Sequence, residues 1–263
     1  MKSKKLISES KDKIKNIIIN SFKPGYFYIM LKKLIERLKN FNKKKGLEWA
    51  KNNTSTTTEE FCKNIDEKLF QSVKIDVANL ESKSSYLLKN LNKNLGGGGN
   101  YLLLYFLVRK FKPSCVLETG VAAGWSSLAI LQSLEKNNFG NLYSSDFPYF
   151  RLKDPEKYIG FLVQDENLKK RWHLDITGDE LALPKLSKLI GEATIDLFHY
   201  DSDKNYSGRD FAIKTLRYNL SPNSIIIFDD IQDNLHFKDF VNSENRKYTV
   251  IEFNGKYLGI IGV

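Results

Sequence analysis

The chain has 263 residues, 41 Lys and Arg against 31 Asp and Glu for a formal net charge of +10, and a composition that is 41% hydrophobic and 13% aromatic. That is ample apolar material for one large domain, or one domain with an appendage, and it excludes wholesale disorder. Two cysteines, Cys62 and Cys115, exclude a disulfide framework and suit a reducing compartment.

The longest apolar run, Tyr101 to Val108, falls well short of the ~20 residues that span a bilayer. The basic N-terminus lacks the apolar core and small-residue cleavage site of a secretory signal. The expectation is therefore a cytoplasmic protein. The excess positive charge is unevenly placed. Residues 1–60 hold fifteen bases and six acids, and the other 203 residues hold twenty-six and twenty-five. A basic N-terminal segment on a nearly neutral body argues against a nucleic-acid partner for the body.

Residues 1–94 read as a basic helical appendage. Phe27, Met30, Leu31, Leu34, Leu38 and Phe41 recur at helical spacing between Lys32, Lys33, Arg37 and Lys39. Lys43-Lys44-Lys45-Gly46 marks that helix's end. The polar run 52–58 reads as a linker whose Thr58 caps a helix over 59–92. The basic helix suits packing as a lid or subunit contact in a homo-oligomer, or peripheral contact with an anionic membrane near a lipid-linked glycan. Four glycines, Gly96 to Gly99, read as a hinge.

From residue 95 the pattern is regular. Helices are expected at 101–111, 125–136, 181–190, 206–219 and 236–242. They alternate with strands at 114–119, 141–146, 172–176, 195–200 and 224–228, which calls for a parallel sheet covered on both faces. The strands 247–253 and 256–263 flank Asn254-Gly255, the strongest short hairpin signal. The fold expected is α/β, a doubly wound Rossmann-like seven-stranded sheet, mostly parallel, with a C-terminal antiparallel hairpin.

Two constellations carry chemistry. The first is Glu118-Thr119-Gly120-Val121-Ala122-Ala123-Gly124-Trp125-Ser126-Ser127, a strand-to-helix turn whose glycines admit a close ligand. Glycines four apart do not make the dinucleotide pattern, and no G-K-[ST] follows, which argues against NAD and ATP. Asp146, ending the next strand, is placed for vicinal ribose hydroxyls, and Asp179 borders an adenine. Together they outline an adenosyl site. The second is Asp201-Ser202-Asp203-Lys204 with Asp229-Asp230. If their strands are neighbours, the strand ends lie about 4.8 Å apart and three carboxylates meet. Such a cluster binds a cation or keeps protons, and oxygen ligands favour Mg²⁺, Ca²⁺ or Mn²⁺ over zinc. Lys204 at the mouth is a candidate base.

E-T-G-V-A-A-G-W-S-S, D-S-D-K-N-Y and F-D-D, over residues 95–263, resemble the class I S-adenosylmethionine-dependent methyltransferases. The resemblance is strongest to the cation-dependent O-methyltransferases, the catechol and caffeoyl-CoA enzymes and their bacterial sugar and natural-product relatives. It implies that Glu118, Gly120, Gly124 and Ser126 hold the methionine moiety, Asp146 the ribose, and that Asp179 lies near the adenine. It further implies that Asp201, Asp229 and Asp230 ligate Mg²⁺ and that Lys204 takes the acceptor's proton. Asp230 stands where Asn is common, which leans toward a glycan-like acceptor with adjacent hydroxyls over a simple catechol.

His236, near the Asp pair, is a second candidate for the base role, and His199 reads as a satisfied core histidine. Tyr149, Phe150 and Tyr158 are candidate pocket walls. Two rivals remain at this stage. One is a nucleotide-sugar glycosyltransferase using the D-x-D of Asp201-Ser202-Asp203. The other is a non-catalytic methyltransferase-like binding module.

Overall fold

The computed structural model describes residues 2–38, 42–91, 93–191 and 194–263. The basic helical stripe therefore runs, at Lys39 and Phe41, outside the described residues. Eight strands build one sheet: β1 (Thr54–Thr57), β2 (Cys115–Thr119), β3 (Asn141–Ser145), β4 (Trp172–Asp175), β5 (Ile195–Tyr200), β6 (Leu220–Phe228), β7 (Tyr248–Phe253) and β8 (Lys256–Ile261). Their order is β1-β7-β8-β6-β5-β2-β3-β4. The strands pair in parallel except β8, which is antiparallel to both β6 and β7. The hairpin turns at Asn254 (φ 53°) and Gly255 (φ 74°), the positive φ values an Asn-Gly turn supplies.

Alternation along the strands divides the core in two. Val116, Leu197, Ile225 and Ile227 face one layer, with α4 (Thr58–Leu91), α5 (Tyr101–Phe111) and α6 (Trp125–Asn137). Leu117, Phe198, Ile226 and Phe228 face the other. That second layer holds α8 (Asp179–Ile190), α9 (Tyr206–Leu216) and α10 (His236–Glu244). Covered on both faces, β2 is buried at every position, Glu118 and Thr119 included. The short α7 (Glu166–Lys169) leads into β4.

The seven expected strands are all present. The eighth, β1, is a correction, because residues 52–58 do not form a linker. Thr54–Thr57 pairs in parallel with β7 and covers an edge that would otherwise expose unpaired backbone groups. β-branched threonine suits this extended edge. The cap also moves by one residue. Thr57, not Thr58, makes a reciprocal box: the Glu60 amide donates to Thr57 Oγ1 (3.2 Å) and the Thr57 amide donates to Glu60 Oε2 (3.1 Å). Lys43-Lys44-Lys45-Gly46 starts a helix where an end was expected. This helix, α3 (Lys43–Asn53), packs on the turn Ile231–Asp233 and sets Trp49 against Phe237 and Tyr248.

Before it come α1 (Lys2–Ser21) and α2 (Tyr26–Leu38). Buried Asn20 donates to the carbonyls of Phe150 (2.8 Å) and Leu152 (3.0 Å), tying α1 to the segment after β3. Tyr26 packs on Phe147 with ring centroids 4.8 Å apart, and Lys23 pairs with Glu156. Among the described residues no helix is long and apolar enough to cross a membrane.

Candidate active site

Between β2 and β5 the chain reverses its direction of travel across the sheet, which opens a crevice at the carboxyl ends of the strands. Every expected site residue except Ser126, Asp179 and His236, which lie in the first turns of helices, belongs to a strand end or the loop after it. Gly120 follows β2 at φ 85°, and a Cβ there would stand 2.2 Å from the Asp201 carbonyl. Only glycine allows the β2 and β5 loops to approach so closely. Ala122, at φ 49°, is held in the left-handed region by Asp146, whose Oδ2 accepts from the Ala122 amide at 2.6 Å. Asp146 thus ties the glycine loop to the end of β3. Burial pushes its carboxyl up to about 6, against the two amides that bond it.

Asp179 begins α8 and accepts from Ser145 Oγ (2.6 Å) and from Ser202 Oγ, joining β3 to the loop after β5. Its pKa is raised, by burial first. Glu118 is completely buried. Its Oε2 accepts from Ser127 (2.6 Å) and Ser144 (3.0 Å), while Oε1 has no hydrogen-bond partner. Ser127 is the hydroxyl that turns back to β2, and Ser126 beside it is buried in the first turn of α6. Gly124 caps α6 at φ 97°. The residues present fit an adenosyl sulfonium ligand: a glycine turn, an acid at the end of β3 and a buried carboxylate, Glu118, one oxygen of which makes no hydrogen bond.

The carboxylate cluster is assembled in part. Tyr200 pairs with Phe228, so Asp201 and Asp229 follow adjacent strands as expected. Their Oδ2 atoms converge on Gly99, where a Cβ would stand 2.7 Å from Asp229 and 3.7 Å from Asp201. The glycine run expected to be a hinge is thus a close approach to two carboxylates. Burial, and then the charge of Asp229, push the Asp201 carboxyl up to about 7.

Asp230 does not join them. Its φ of 51° turns its carboxylate to Lys204, to Lys256 (3.2 Å) and to the Gln232 amide (3.1 Å). Among the described residues no group of three or more His, Cys, Asp or Glu side chains stands where it could hold a metal ion. The three-carboxylate Mg²⁺ centre is therefore corrected to an Asp201–Asp229 pair beside a Lys204–Asp230–Lys256 cluster. Lys204 lines the cleft with its pKa lowered, chiefly by burial.

His236 is not aimed at the reacting groups. Its ring is buried among Tyr206, Phe228 and Phe240, and burial pushes its pKa down to about 4. His199 is also more than a core residue. It lies between the two constellations, with Nδ1 3.8 Å from Glu118 and Nε2 3.6 Å from Asp229. Burial alone would lower its pKa, but the two carboxylates reverse this and push it up to about 10.

Arg209, fully buried on α9, donates from Nη2 to the carbonyls of Asp229 (2.7 Å) and Asp230 (2.9 Å) and so fixes the Asp pair's backbone. Nothing in its sequence neighbourhood separates it from a solvated helical arginine. Lys33, counted above only among the basic residues of α2, pairs with Asp203 at 2.7 Å and lies 5.8 Å above the Phe147 ring. Tyr149 donates to the Leu95 carbonyl (2.7 Å) and, with Phe147 and Phe150, lines a cleft beside Lys204.

A glycine loop at the switch point, an acid on the next strand and a closing antiparallel hairpin define the class I methyltransferase fold. Residues 117–231 match the sequence family described as "Methyltransferase domain". No curated protein matches the chain significantly.

Among solved structures, the Streptomyces achromogenes O-methyltransferase TomG, involved in tomaymycin synthesis and in complex with SAM, is 15% identical with a TM-score of 0.54; the match covers 69% of this chain and 87% of that one. A Bacillus cereus O-methyltransferase in complex with SAH is 16% identical with a TM-score of 0.52, covering 70% and 90%. An SAH-bound Podospora anserina methyltransferase is 17% identical with a TM-score of 0.52, covering 69% and 86%. These likenesses establish the fold.

Proposed function

We propose that the protein transfers a methyl group from S-adenosylmethionine to a hydroxyl of a small molecule or glycan with adjacent hydroxyls. One observation carries this reading. At the switch point, inside the segment that matches a methyltransferase domain, Asp146 binds the glycine loop's own amide and stands ready to exchange it for ribose hydroxyls. When bound, S-adenosylmethionine supplies an electrophilic methyl on a sulfonium. Glu118 places negative charge beneath that cation, Asp146 accepts from the ribose and Asp179 bounds the adenine end.

Lys204 faces the cleft with a lowered pKa and takes the acceptor's proton at Nζ. As the neutral amine, it is oriented by the hydrogen bond it donates to Asp230. Asp201 and Asp229 sit beside it, and Asp201, with its pKa near neutrality, offers a second proton acceptor. No step is routed through a cation, because Asp230 is engaged with Lys204 and Lys256. The catalytic unit in this reading spans residues 95–263, with α1 and α2 as its acceptor-side cover.

The test is calorimetry with S-adenosylhomocysteine and with UDP, the latter addressing a glycosyltransferase working through Asp201-Ser202-Asp203. Binding of S-adenosylhomocysteine, weakened about 10- to 100-fold by Asp146→Ala, is expected for loss of a charged hydrogen-bond acceptor. Binding of UDP alone would overturn the proposal.

A further inference from the structure

The cleft beside Lys204 has about 1260 Å³ of empty volume, open to solvent, and its lining is of two kinds. Phe147, Tyr149 and Phe150 supply an aromatic surface. Lys33 from α2, Arg151 from the segment after β3, and Lys204 and Asp203 from the loop after β5 supply charge. Three cations face one carboxylate, and that carboxylate is already engaged by Lys33. Lys204 has its own partner in Asp230, buried below it. Arg151 has no carboxylate partner among the described residues.

Its position is nonetheless built. Asn16 donates to the Arg151 carbonyl (3.3 Å), and Asn20, almost wholly buried, donates to the carbonyls on either side of it. These bonds hold the backbone that carries Arg151 at the edge of the cleft, and its exposed side chain is accessible to a ligand.

We propose that the acceptor carries an oxyanion, a carboxylate or a phosphate, which Arg151 binds with support from Lys33 while the aromatic surface takes the acceptor's body. This rests on the methyltransferase reading and names the substrate class for the same site. A guanidinium offers two parallel donors to either oxyanion, and a cleft with excess positive charge concentrates such ligands. The N-terminal helices thereby become specificity elements, since α2 contributes Lys33 and α1 holds the Arg151 backbone.

The test compares two pairs of probes that differ mainly in the anion, glucose 6-phosphate against glucose and 3,4-dihydroxybenzoate against catechol. Each is titrated calorimetrically with and without S-adenosylhomocysteine. In at least one pair the charged member should bind about tenfold or more tightly, as expected for a charge-assisted bidentate contact, and its advantage should shrink with added salt. The pair that responds separates phosphate from carboxylate. Arg151→Gln should erase most of that advantage, Arg151→Lys should restore part of it, and neither should change the affinity for S-adenosylhomocysteine.

Equal binding within both pairs, binding of no probe, or a preference that survives Arg151→Gln would overturn the proposal. Absence of S-adenosylhomocysteine binding would instead sink the methyltransferase reading, and the titrations without it would still report the anion preference.

Discussion

At the scale of the residue, burial sets the chemistry of the site more than residue identity does. Asp146 keeps its pKa near 6 because burial outweighs the two amides on its carboxylate. Only its ionised form accepts from two ribose hydroxyls, so affinity for S-adenosylhomocysteine should hold above pH 6 and fall below it. In Asp146→Asn the affinity should be lower and this pH step absent, as read by titrations at pH 5 and 8. A wild-type affinity flat across that range would contradict the role.

His236 gives the opposite kind of signal. Its folded-state pKa, about 4, lies below its ordinary value of 6.5, so its contribution to stability is fully present above pH 6.5 and is lost as the pH falls toward 4. The shift corresponds to about 3 kcal/mol at most. Replacing it with Phe, which suits the surrounding rings, should flatten this acid limb in urea melts at pH 7.5 and 4.5. An unchanged acid limb would show that His236 is not the group responsible. The residues of the proposed site were legible because most stand in a motif at or just after the end of a predicted strand. His199, Arg209 and Ser127 were not, since their roles depend on which groups lie across the sheet or under the loop.

At the scale of the element, strand-helix alternation and the Asn-Gly turn made β2 to β8 legible with boundaries off by a few residues. What escaped was local polar chemistry. Thr54–Thr57 looked like a linker because four short polar residues have no core face of their own, and only the open edge of β7 makes them a strand. The T-x-x-E box from Thr57 to Glu60 was present in the sequence and is the signal that places the helix start. Thr57→Ala removes the side-chain acceptor for the Glu60 amide and should cost about 1 kcal/mol in chemical unfolding at neutral pH. Ser55→Ala, at an exposed position on β1 without that role, should cost less. Equal costs would contradict the assignment of the cap.

At the scale of the whole molecule, the basic segment is built into the structure around the site. α1 and α2 reach the cleft through Asn20, Tyr26, Lys32 and Lys33, whereas α3 and β1 complete the second core layer and the sheet edge. The two parts should therefore separate in truncations. Removing residues 1–41 should leave a folded protein that binds S-adenosylhomocysteine with altered acceptor affinity. Removing residues 1–58 should also lower the melting temperature, because Trp49 leaves Phe237 and Tyr248 and β7 loses its neighbour. Equal melting temperatures for the two would show that α3 and β1 add no stability.

The sequence by itself determined the alternating α/β plan, the closing hairpin, the glycine turn and the acids that end successive strands, because periodicity and turn chemistry act over a few residues. The partition of the +10 charge was legible in the same way. Only the tertiary structure decided the rest. It turned Asp230 away from Asp201 and Asp229 toward two lysines, set a histidine between the two motifs, and brought the basic arm over the cleft. Those outcomes depend on backbone dihedrals and on contacts between residues from 26 to 170 positions apart, which no local pattern encodes.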